Sequence, residues 1–424
     1  MTPASRRIRF RQLLPVVFGT GLYFFANIQR VAIPGSIFNL LQEDLKLSAP
    51  GVTALGSSFM YVYALNQLLI GLLVNRYGGR RVILPGALLF CLGSFWFPCS
   101  SGAWVYIARA LTGFGASALY LSLVAETIRS FRKNYTIAVS LVIMAGYAGG
   151  ITANAPFVAA VRAVGWRPLL LLVAAGSVLC YLCFAISALS RKLPPVRRDI
   201  PLLFSGFGRV LGDAHNRALF LFSGINFGLY YVIQTVIGKK FLEDFCGFGS
   251  ENAAWILSLT GALSAVSGVG MAFLSRISGN RRRIFCRVSG SVCLFVFVSI
   301  LLLVACDVKS GGIALLFCLL ATTASMSSIT IPLLHETNRR DLAGPAVCFM
   351  NFSFYLAVAV FGNAAGVLLN VCKPEERGGV LIYPPGSWIA VFSALALSSA
   401  VVFLCSLRMR ETMGNPQSSR IIPS

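Results

Sequence analysis

The sequence predicts an all-α integral membrane protein of twelve transmembrane helices, arranged as two pseudo-symmetric six-helix bundles. Of the 424 residues, 57% are hydrophobic and only 12% are charged, whereas soluble domains average about 25% charged residues. Apolar runs of about 20 residues, the length that a helix needs to cross a bilayer, recur along the chain. Because lipid offers no partner to unpaired backbone groups, these runs are expected to form helices.

The spans are separated by short loops that carry charged and turn-forming residues. Their approximate ranges are 12–34, 52–74, 82–99, 104–125, 135–159, 168–190, 218–238, 253–275, 286–306, 312–334, 343–370 and 387–407. The one long connection, 191–217, contains Pro and Arg and is predicted to be a cytoplasmic linker. It divides the chain into an N-terminal bundle, 1–190, and a C-terminal bundle, 218–424.

The formal net charge of +22 reflects basic clusters that lie between the apolar spans. Most Lys and Arg residues fall at the N-terminus, in the loops after the even-numbered spans and at the C-terminus. This is the positive-inside pattern, which places both termini in the cytoplasm. A plasma (bacterial inner) membrane location is expected, with the lipid bilayer as partner and no nucleic acid.

The cysteines do not form a pattern typical of metal or redox chemistry. Twelve are present, mostly inside apolar runs. The pair Cys180 and Cys183 has the C-x-x-C spacing, but it lies in the middle of a span with no His or second pair nearby. Packing residues are the preferred interpretation, and no metal or cofactor is expected.

An internal repeat supports two related halves. The basic, glycine-punctuated turn at residues 71–83 recurs at 271–283, in each case after the second span of its half. A second repeat pairs Val124–Arg129 with Leu334–Arg339, after the fourth span of each half. Two similar six-helix bundles are typical of transporters that move one bundle against the other around a central site.

Four motifs resemble those of the major facilitator superfamily, and the match covers nearly the whole chain. They are the loop motif at 71–81, the fourth-helix motif Arg109–Ala116, the fifth-helix glycines Gly146–Gly150 leading to Pro156, and Gly165–Arg167. The resemblance implies a monomeric secondary or facilitative transporter that works by alternating access. It also implies that spans one, four, seven and ten line a central cavity. An integral membrane enzyme is the first rival, but it is not expected, because the sequence has no cluster such as paired Asp, HxxxD or a metal set at a membrane edge.

The loop motif departs from the family pattern at the position of its carboxylate, which is Asn75 here and Ser275 in the repeat. The resemblance implies that this carboxylate belongs to a charge-linked latch that holds the outward-open state. Without the carboxylate, the sequence leaves the strength of such a latch undetermined. The alternative is that the loop only anchors the positive-inside topology. Glu126 and Glu336 are predicted to pair with the arginines that follow them. The predicted conformational-switch residues are Gly71, Asn75, Arg76, Gly78, Arg80, Arg81, Glu126, Arg129, Arg276, Glu336 and Arg339.

Polar residues inside membrane spans are costly and tend to line cavities or packed interfaces. Helical spacing groups them into faces on the spans that the resemblance places around the cavity, with one addition from span two. The predicted substrate-binding residues are Tyr23, Asn27, Arg30, Gln67, Arg109, Tyr120, Asn226, Tyr230, Gln234 and Ser325.

Arg30 suggests the substrate class, because a buried guanidinium requires an anion, carbonyl groups or water. One hypothesis is that it binds a carboxylate or phosphate of a small organic anion. The alternative is that Arg30, four residues before Pro34, extends to the outer surface. For Arg109, pairing with backbone carbonyls is preferred to substrate contact.

Other functions remain open from the sequence. Efflux of drugs or lipophilic cations is the second hypothesis, and a non-transporting membrane sensor is a weaker one. Proton-driven carriers usually bury a titratable group within the membrane, whereas both His residues, His215 and His335, lie in or beside loops. Exchange or facilitated diffusion is therefore preferred to carboxylate-based proton symport.

Overall fold

The computed structural model describes residues 3–131, 135–190, 203–339, 341–377 and 380–414. The helices of the first half are α1 (Pro3–Ala32), a 3-10 turn (Gly35–Ile37), α2 (Phe38–Leu45), α3 (Ala49–Tyr77), α4 (Gly79–Cys99), α5 (Trp104–Ser117), α6 (Leu119–Phe131), α7 (Tyr135–Thr152), α8 (Ala155–Val164) and α9 (Trp166–Leu189). Those of the second half are α10 (Leu203–Gly212), α11 (Ala214–Val232), a π-helix (Ile233–Ile237), α12 (Gly238–Asp244), α13 (Ser250–Ile277), α14 (Arg282–Ala305), α15 (Gly312–Thr323), α16 (Ser327–Thr337), α17 (Ala343–Leu369) and α18 (Pro385–Leu407).

The predicted all-α membrane fold is confirmed. Within the described ranges, ten helical stretches are long and apolar enough to cross a membrane, and the number is twelve if each of two bent pairs is one span. The pairs bend by 46° between α1 and the turn–α2 segment, and by 48° between α7 and α8. Pro34 and Pro156 lie at these breaks, where proline removes a backbone donor and ends or bends a helix.

Two elements were not expected from the sequence. Strands β1 (Glu375–Arg377) and β2 (Val380–Ile382) form an antiparallel hairpin before the last helix, with Glu375 opposite Ile382. The short helix α2 lies in what was predicted to be the first loop. Within the predicted linker, α10 is helical, whereas residues 191–202 lie outside the described residues.

The first compact unit comprises Met1–Ala32 and Ser58–Pro201. Its helices approach closely where small residues face each other. A Cβ added at Gly115 of α5 would lie 2.2 Å from the backbone nitrogen of Phe90 on α4. Glycine at such a position allows two membrane helices to pack with their backbones nearly in contact.

The second compact unit comprises Ile33–Ser57 and Leu202–Ser424. Helix α11 packs on α17 and α18, and α14 packs along α18. Near the hairpin, the ring of Phe241 contacts those of Trp388 and Phe392, with centroids 5.0 and 4.5 Å away. This aromatic cluster forms the core at one end of the unit.

The segment Ile33–Ser57 packs within the second unit, although it lies before the predicted bundle boundary. Ser57 donates a hydrogen bond to the carbonyl of Ala359 over 3.0 Å. A Cβ added at Gly35 would lie 2.6 Å from the carbonyl oxygen of Thr235. The division of the chain at 191–217 therefore does not describe the packing of this segment.

Candidate functional site

The predicted polar face of α1 is a connected chain of side chains. Arg30 donates from Nη2 to Oδ1 of Asn27, and Asn27 donates from Nδ2 to the carbonyl of Tyr23 over 2.8 Å. Arg30 is 8% exposed and Asn27 is 3% exposed. The guanidinium thus contacts the preceding turn of the helix and is buried.

Tyr23 joins α1 to two other helices of the first unit. Its ring stacks on that of Tyr120 in α6, with centroids 5.4 Å apart. A Cβ added at Gly146 of α7 would lie 2.4 Å from Cε1 of Tyr23, and one added at Gly149 would lie 2.4 Å from the carbonyl oxygen of Phe24. The fifth-helix glycines therefore allow α7 to lie directly against the polar face of α1.

Arg109 makes the structural contact that was preferred for it. Its Nη1 donates to the carbonyl of Gln29 over 3.3 Å, and its guanidinium carbon lies 4.8 Å from the ring centroid of Phe59 and 5.6 Å from that of Phe97. The side chain is 1% exposed. It links the end of α1 to α3, α4 and α5 within the first unit.

Gln67 of α3 also binds a neighbouring backbone. It donates from Nε2 to the carbonyl of Ser117 over 3.1 Å. The adjacent Asn66, which sequence reasoning missed, donates from Nδ2 to Oγ of Ser117 over 2.6 Å. Two adjacent amides in an apolar span were a visible signal for this contact.

The predicted residues of the second unit make interhelical hydrogen bonds. Asn226 donates to the carbonyl of Thr323 over 2.9 Å, and Tyr230 donates to the carbonyl of Thr260 over 3.4 Å. Ser325 donates to the carbonyl of Ser264 over 2.7 Å. Such bonds are how polar side chains hold membrane helices together.

Gln234 lies in the π-helix, which sequence analysis did not predict. It donates from Nε2 to the carbonyl of Leu257 over 2.9 Å and accepts from Oγ1 of Thr260 over 2.7 Å. π-Helical turns occur frequently at functional sites. Here the π-helical turn carries the buried Gln234 amide, whose nitrogen and oxygen are both held by hydrogen bonds to α13.

Two of the predicted conformational-switch residues, Arg80 and Glu126, form a buried ion pair in the first unit. Arg80 contacts Oε1 of Glu126 through Nη2 at 2.5 Å and through Nε at 2.7 Å, with both side chains at most 2% exposed. Arg129, the predicted partner, is 44% exposed and lies 3.8 Å from Oε2 of Glu126. The stronger partner is thus Arg80, because the start of α4 brings it against α6.

The other predicted switch residues of this loop are partly or fully exposed. Asn75, at the position of the family's carboxylate, is exposed. Arg76 lies over the ring of Tyr77, with 5.2 Å from the guanidinium carbon to the centroid. Gly71, Gly78 and Arg81 are partly exposed, and Gly78 has φ +82°. A positive φ of this size favours glycine.

The second unit has a related pair with different partners from those predicted. Arg282 contacts Oε1 of Glu336 at 2.9 Å and donates from Nη1 to Oγ of Ser275 over 2.8 Å. Arg339 instead pairs with Asp341 at 3.2 Å, and Arg276 is exposed. Ser275 thus keeps a hydrogen bond to an arginine at the position where the family has a carboxylate. The prediction that Glu336 pairs with Arg339 is corrected, since α14 supplies the nearer arginine.

A second charged cluster was missed because its residues are spread along the sequence. Lys240 Nζ lies 2.8 Å from Oδ1 of Asp244, and these side chains are 0% and 3% exposed. The same ammonium donates to the carbonyl of Leu381 over 2.5 Å, and Asp244 accepts from the backbone N–H of Tyr383 over 3.0 Å. A buried ion pair thereby holds the β-hairpin strand and the residue after it.

The segment after α1 joins this cluster. Gln42 donates to the hydroxyl oxygen of Tyr383 over 2.9 Å, and Asn39 donates to Oε2 of Glu243 over 3.0 Å. Glu243 also pairs with Lys239 at 2.6 Å. Burial raises the pKa of the Tyr383 hydroxyl above its ordinary value, so this group stays protonated at neutral pH.

Among the residues that the structure describes, no three His, Cys, Asp or Glu side chains lie close enough to hold a metal ion. Cys180 and Cys183 are free thiols.

Comparison with known proteins gives one consistent result. A family model described as Major Facilitator Superfamily matches residues 19–362. No match was found among curated proteins. A crystal structure of a bacterial homologue of the human lysosomal transporter Spinster, in an inward-facing and unoccupied conformation, has a TM-score of 0.69 at 14% identity, covering 94% of this chain and 97% of that chain. A mutant of the nucleoside transporter NupG has a TM-score of 0.68 at 16% identity, covering 93% and 99%. At these identities the two structures establish the fold.

Proposed function

The chain belongs to the Major Facilitator Superfamily, and from this premise we propose that it carries a small organic anion across a membrane by alternating access. Arg30 is the observation that carries the choice of an anion. Its guanidinium is buried, it is oriented by Asn27, and it lies on one of the spans that line the cavity in this family. An arginine fork matches the geometry of carboxylate and phosphate groups.

The geometry of Arg30 supports this choice over the surface-directed alternative. A side chain reaching outward would extend toward the end of α1, in the direction of Pro34. The guanidinium instead hydrogen-bonds Asn27, one turn in the opposite direction. We therefore place the anion beside Arg30 and Asn27.

An assay with proteoliposomes tests the proposal. Counterflow with mono- and dicarboxylates, phosphate esters and lipophilic cations should show exchange of anions. Arg30→Gln should lower kcat/KM for the anion at least about tenfold, since a hydrogen bond to a charged group contributes about 1.5–3 kcal/mol. Arg30→Lys should recover part of this loss, because it keeps the charge without the fork.

Arg377→Gln is the matched control, because Arg377 is 70% exposed in a pair with Glu375. Its transport rate should equal that of the wild type. Unchanged anion transport in both Arg30 variants would refute the proposed site. Melting temperatures of all variants separate loss of binding from loss of folding.

Efflux of lipophilic cations remains the second candidate, and one observation favours it. Phe227 of the second unit stacks on Tyr231 with centroids 4.2 Å apart and on Phe354 at 4.8 Å. Aromatic faces attract organic cations. This function would be established instead if only the cations showed counterflow and if Arg30→Gln left the rate of that counterflow unchanged.

For coupling, we propose exchange or facilitated diffusion. Glu126 and Asp244 are buried carboxylates, and each is paired with a basic side chain. Uptake of a proton by either carboxylate would break its ion pair and leave a buried basic side chain without a counter-charge, a costly change that argues against a proton cycle through these groups. Substrate-linked proton flux after a pH jump would contradict this part of the proposal.

A further inference from the structure

The residues that follow α18, 408–414, pack against the second unit and are named the C-terminal strap. Met409 and Thr412 of the strap are buried, at 2% and 7% exposed. Side chains of the strap contact the N-cap residue of α11, the first turn of α14 and the last turn of α16. One short segment of chain thus joins three helices of the second unit.

Glu411 of the strap caps the N-terminus of α14. Its carboxylate accepts from the backbone N–H of Arg282 over 2.8 Å and from that of Arg283 over 3.2 Å. Helix α14 has no acidic residue in its first turn, and its N-cap residue, Arg281, makes no side-chain cap hydrogen bond. The first N–H groups of a helix have no partner within it and favour a negative charge. The strap therefore supplies the cap that the sequence around the start of α14 does not.

Thr412 of the strap binds the carboxylate that joins α16 to α14. Its hydroxyl donates to Oε2 of Glu336 over 2.5 Å, while Arg282 of α14 contacts Oε1 of the same carboxylate at 2.9 Å. Glu336 lies in the last turn of α16. The end of α16 is therefore held by α14 and by the strap through a single side chain.

The related ion pair of the first unit is completed within its own helices. Glu126 of α6 is contacted by Arg80 and also accepts from the hydroxyl of Ser130, four residues later in the same helix, over 3.3 Å. In the second unit the hydroxyl comes from Thr412, 76 positions beyond Glu336. The two halves thus differ: a separate segment of chain acts on the second pair.

The span that contains α16 is broken in the middle. Helix α15 ends at Thr323 and α16 begins at Ser327, and Pro332 lies inside α16. Breaks and prolines of this kind interrupt the backbone ladder of a helix and let its parts bend against each other. The end of α16 is also joined to α11 by the amides of Asn338 and Asn216, so loss of the strap would loosen α16 without detaching it.

We propose that the C-terminal strap is a built-in restraint on transport. While it is docked, Glu411 and Thr412 hold the start of α14 and the end of α16 together. Its release lets α16 move and speeds alternation. Contacts that break before a conformational step raise the barrier of that step, and such steps often limit turnover. The proposal does not depend on the class of the transported substrate.

Hydrogen exchange of the purified protein tests whether the strap holds α16. A chain that stops after Met409 lacks the three contacting side chains of the strap, whereas a chain that stops after Gly414 keeps them. Exchange of the amides at 333–338 should be at least about tenfold faster in the shorter chain, because a hydrogen bond to a charged group has this strength. The longer chain should match the full-length protein. Equal exchange in the two truncated chains would overturn the proposal.

Point variants of the full-length protein assign the effect to side chains. Glu411→Gln/Thr412→Val should reproduce the faster exchange at 333–338 and extend it to 282–285, where α14 loses its cap. Arg410→Gln is the matched control, because Arg410 and Asp213 form a pair at 3.3 Å with 45% and 33% exposure, and exposed pairs contribute little. An effect of equal size in Arg410→Gln would refute the assigned side chains. Melting temperatures verify that each variant is folded.

Transport separates a restraint from a contact that only stabilises the fold. The probe is the compound that the wild type exchanges fastest in counterflow with mono- and dicarboxylates, phosphate esters and lipophilic cations, so an anion and a cation serve equally. Turnover of Glu411→Gln/Thr412→Val should rise at least about threefold, which corresponds to about 0.7 kcal/mol on a barrier. Arg410→Gln should keep the wild-type rate. Faster hydrogen exchange with unchanged or lower turnover would overturn the proposal.

Discussion

At the residue scale, the buried pair of Arg80 and Glu126 shows how one contact can be inferred only partly from a motif. The motif and the repeat predict that both residues belong to a conformational switch. The nearer predicted partner along the chain was Arg129, which is 44% exposed and 3.8 Å away. Arg80 is 46 positions from Glu126, and only the packing of α4 on α6 brings the two together at 2.5 Å.

Glu126→Gln tests the role of this pair in alternation. The variant leaves the guanidinium of Arg80 buried without a counter-charge, a change that costs about 3–5 kcal/mol when it is complete. We expect turnover to change at least about fivefold, the effect of roughly 1 kcal/mol on a barrier, with KM unchanged. Steady-state transport in proteoliposomes measures both constants.

The double variant Arg80→Gln/Glu126→Gln is the control, because it removes both charges at once. It should be more stable than Glu126→Gln alone. A change in KM at constant turnover would place Glu126 in substrate binding and contradict the switch role. Wild-type values of both constants would show that the pair is only structural.

At the element scale, the β-hairpin is fixed by the buried pair of α12. Lys240 and Asp244 together hold the carbonyl of Leu381 and the N–H of Tyr383. A three-residue strand pair is too short to be stable alone. Its position therefore depends on the charged side chains beneath it and on Gln42 from the segment after α1.

Asp244→Asn tests this dependence. It leaves the Lys240 ammonium in a fully buried position without its carboxylate, so we expect a clear fall in the melting temperature of the purified protein. Hydrogen exchange of the backbone amides at 380–383 should become faster, because the hairpin loses its support. The double variant Lys240→Met/Asp244→Asn should recover part of the stability.

An exposed ion pair provides the matched comparison. Glu375 and Arg377 are 62% and 70% exposed, and exposed pairs contribute about 0–1 kcal/mol. Glu375→Gln should leave the melting temperature unchanged. If Asp244→Asn has an equally small effect, the buried pair does not support the hairpin.

At the scale of the whole molecule, the distribution of basic residues predicts the orientation in the membrane. With both termini in the cytoplasm, the turn between α13 and α14 faces the inside and the turn between α4 and α5 faces the outside. Ser278 and Ser101 are exposed residues in these turns.

Cysteine labelling tests this orientation in a cysteine-free background. An impermeant maleimide should label Ser101→Cys in intact cells. It should label Ser278→Cys only after the cells are permeabilised. Labelling in permeabilised cells is the control for exposure of each thiol. The reverse pattern would show the opposite orientation.

The sequence by itself determined the class of the molecule. Apolar runs of bilayer length require helices, because every backbone group in lipid must be paired within the chain. The repeat of 71–83 at 271–283 and the four motifs identified the superfamily, which the match over residues 19–362 confirms. These features are local or periodic, so they are visible without a structure.

Only the tertiary structure decided how the polar groups are used. It assigned Glu336 to Arg282, Gln234 to a π-helix beside Thr260, and the segment Ile33–Ser57 to the second compact unit. A buried polar side chain takes whichever partner the packing of helices places within hydrogen-bond distance. That choice depends on contacts between residues far apart in the chain, which spacing along one helix does not encode.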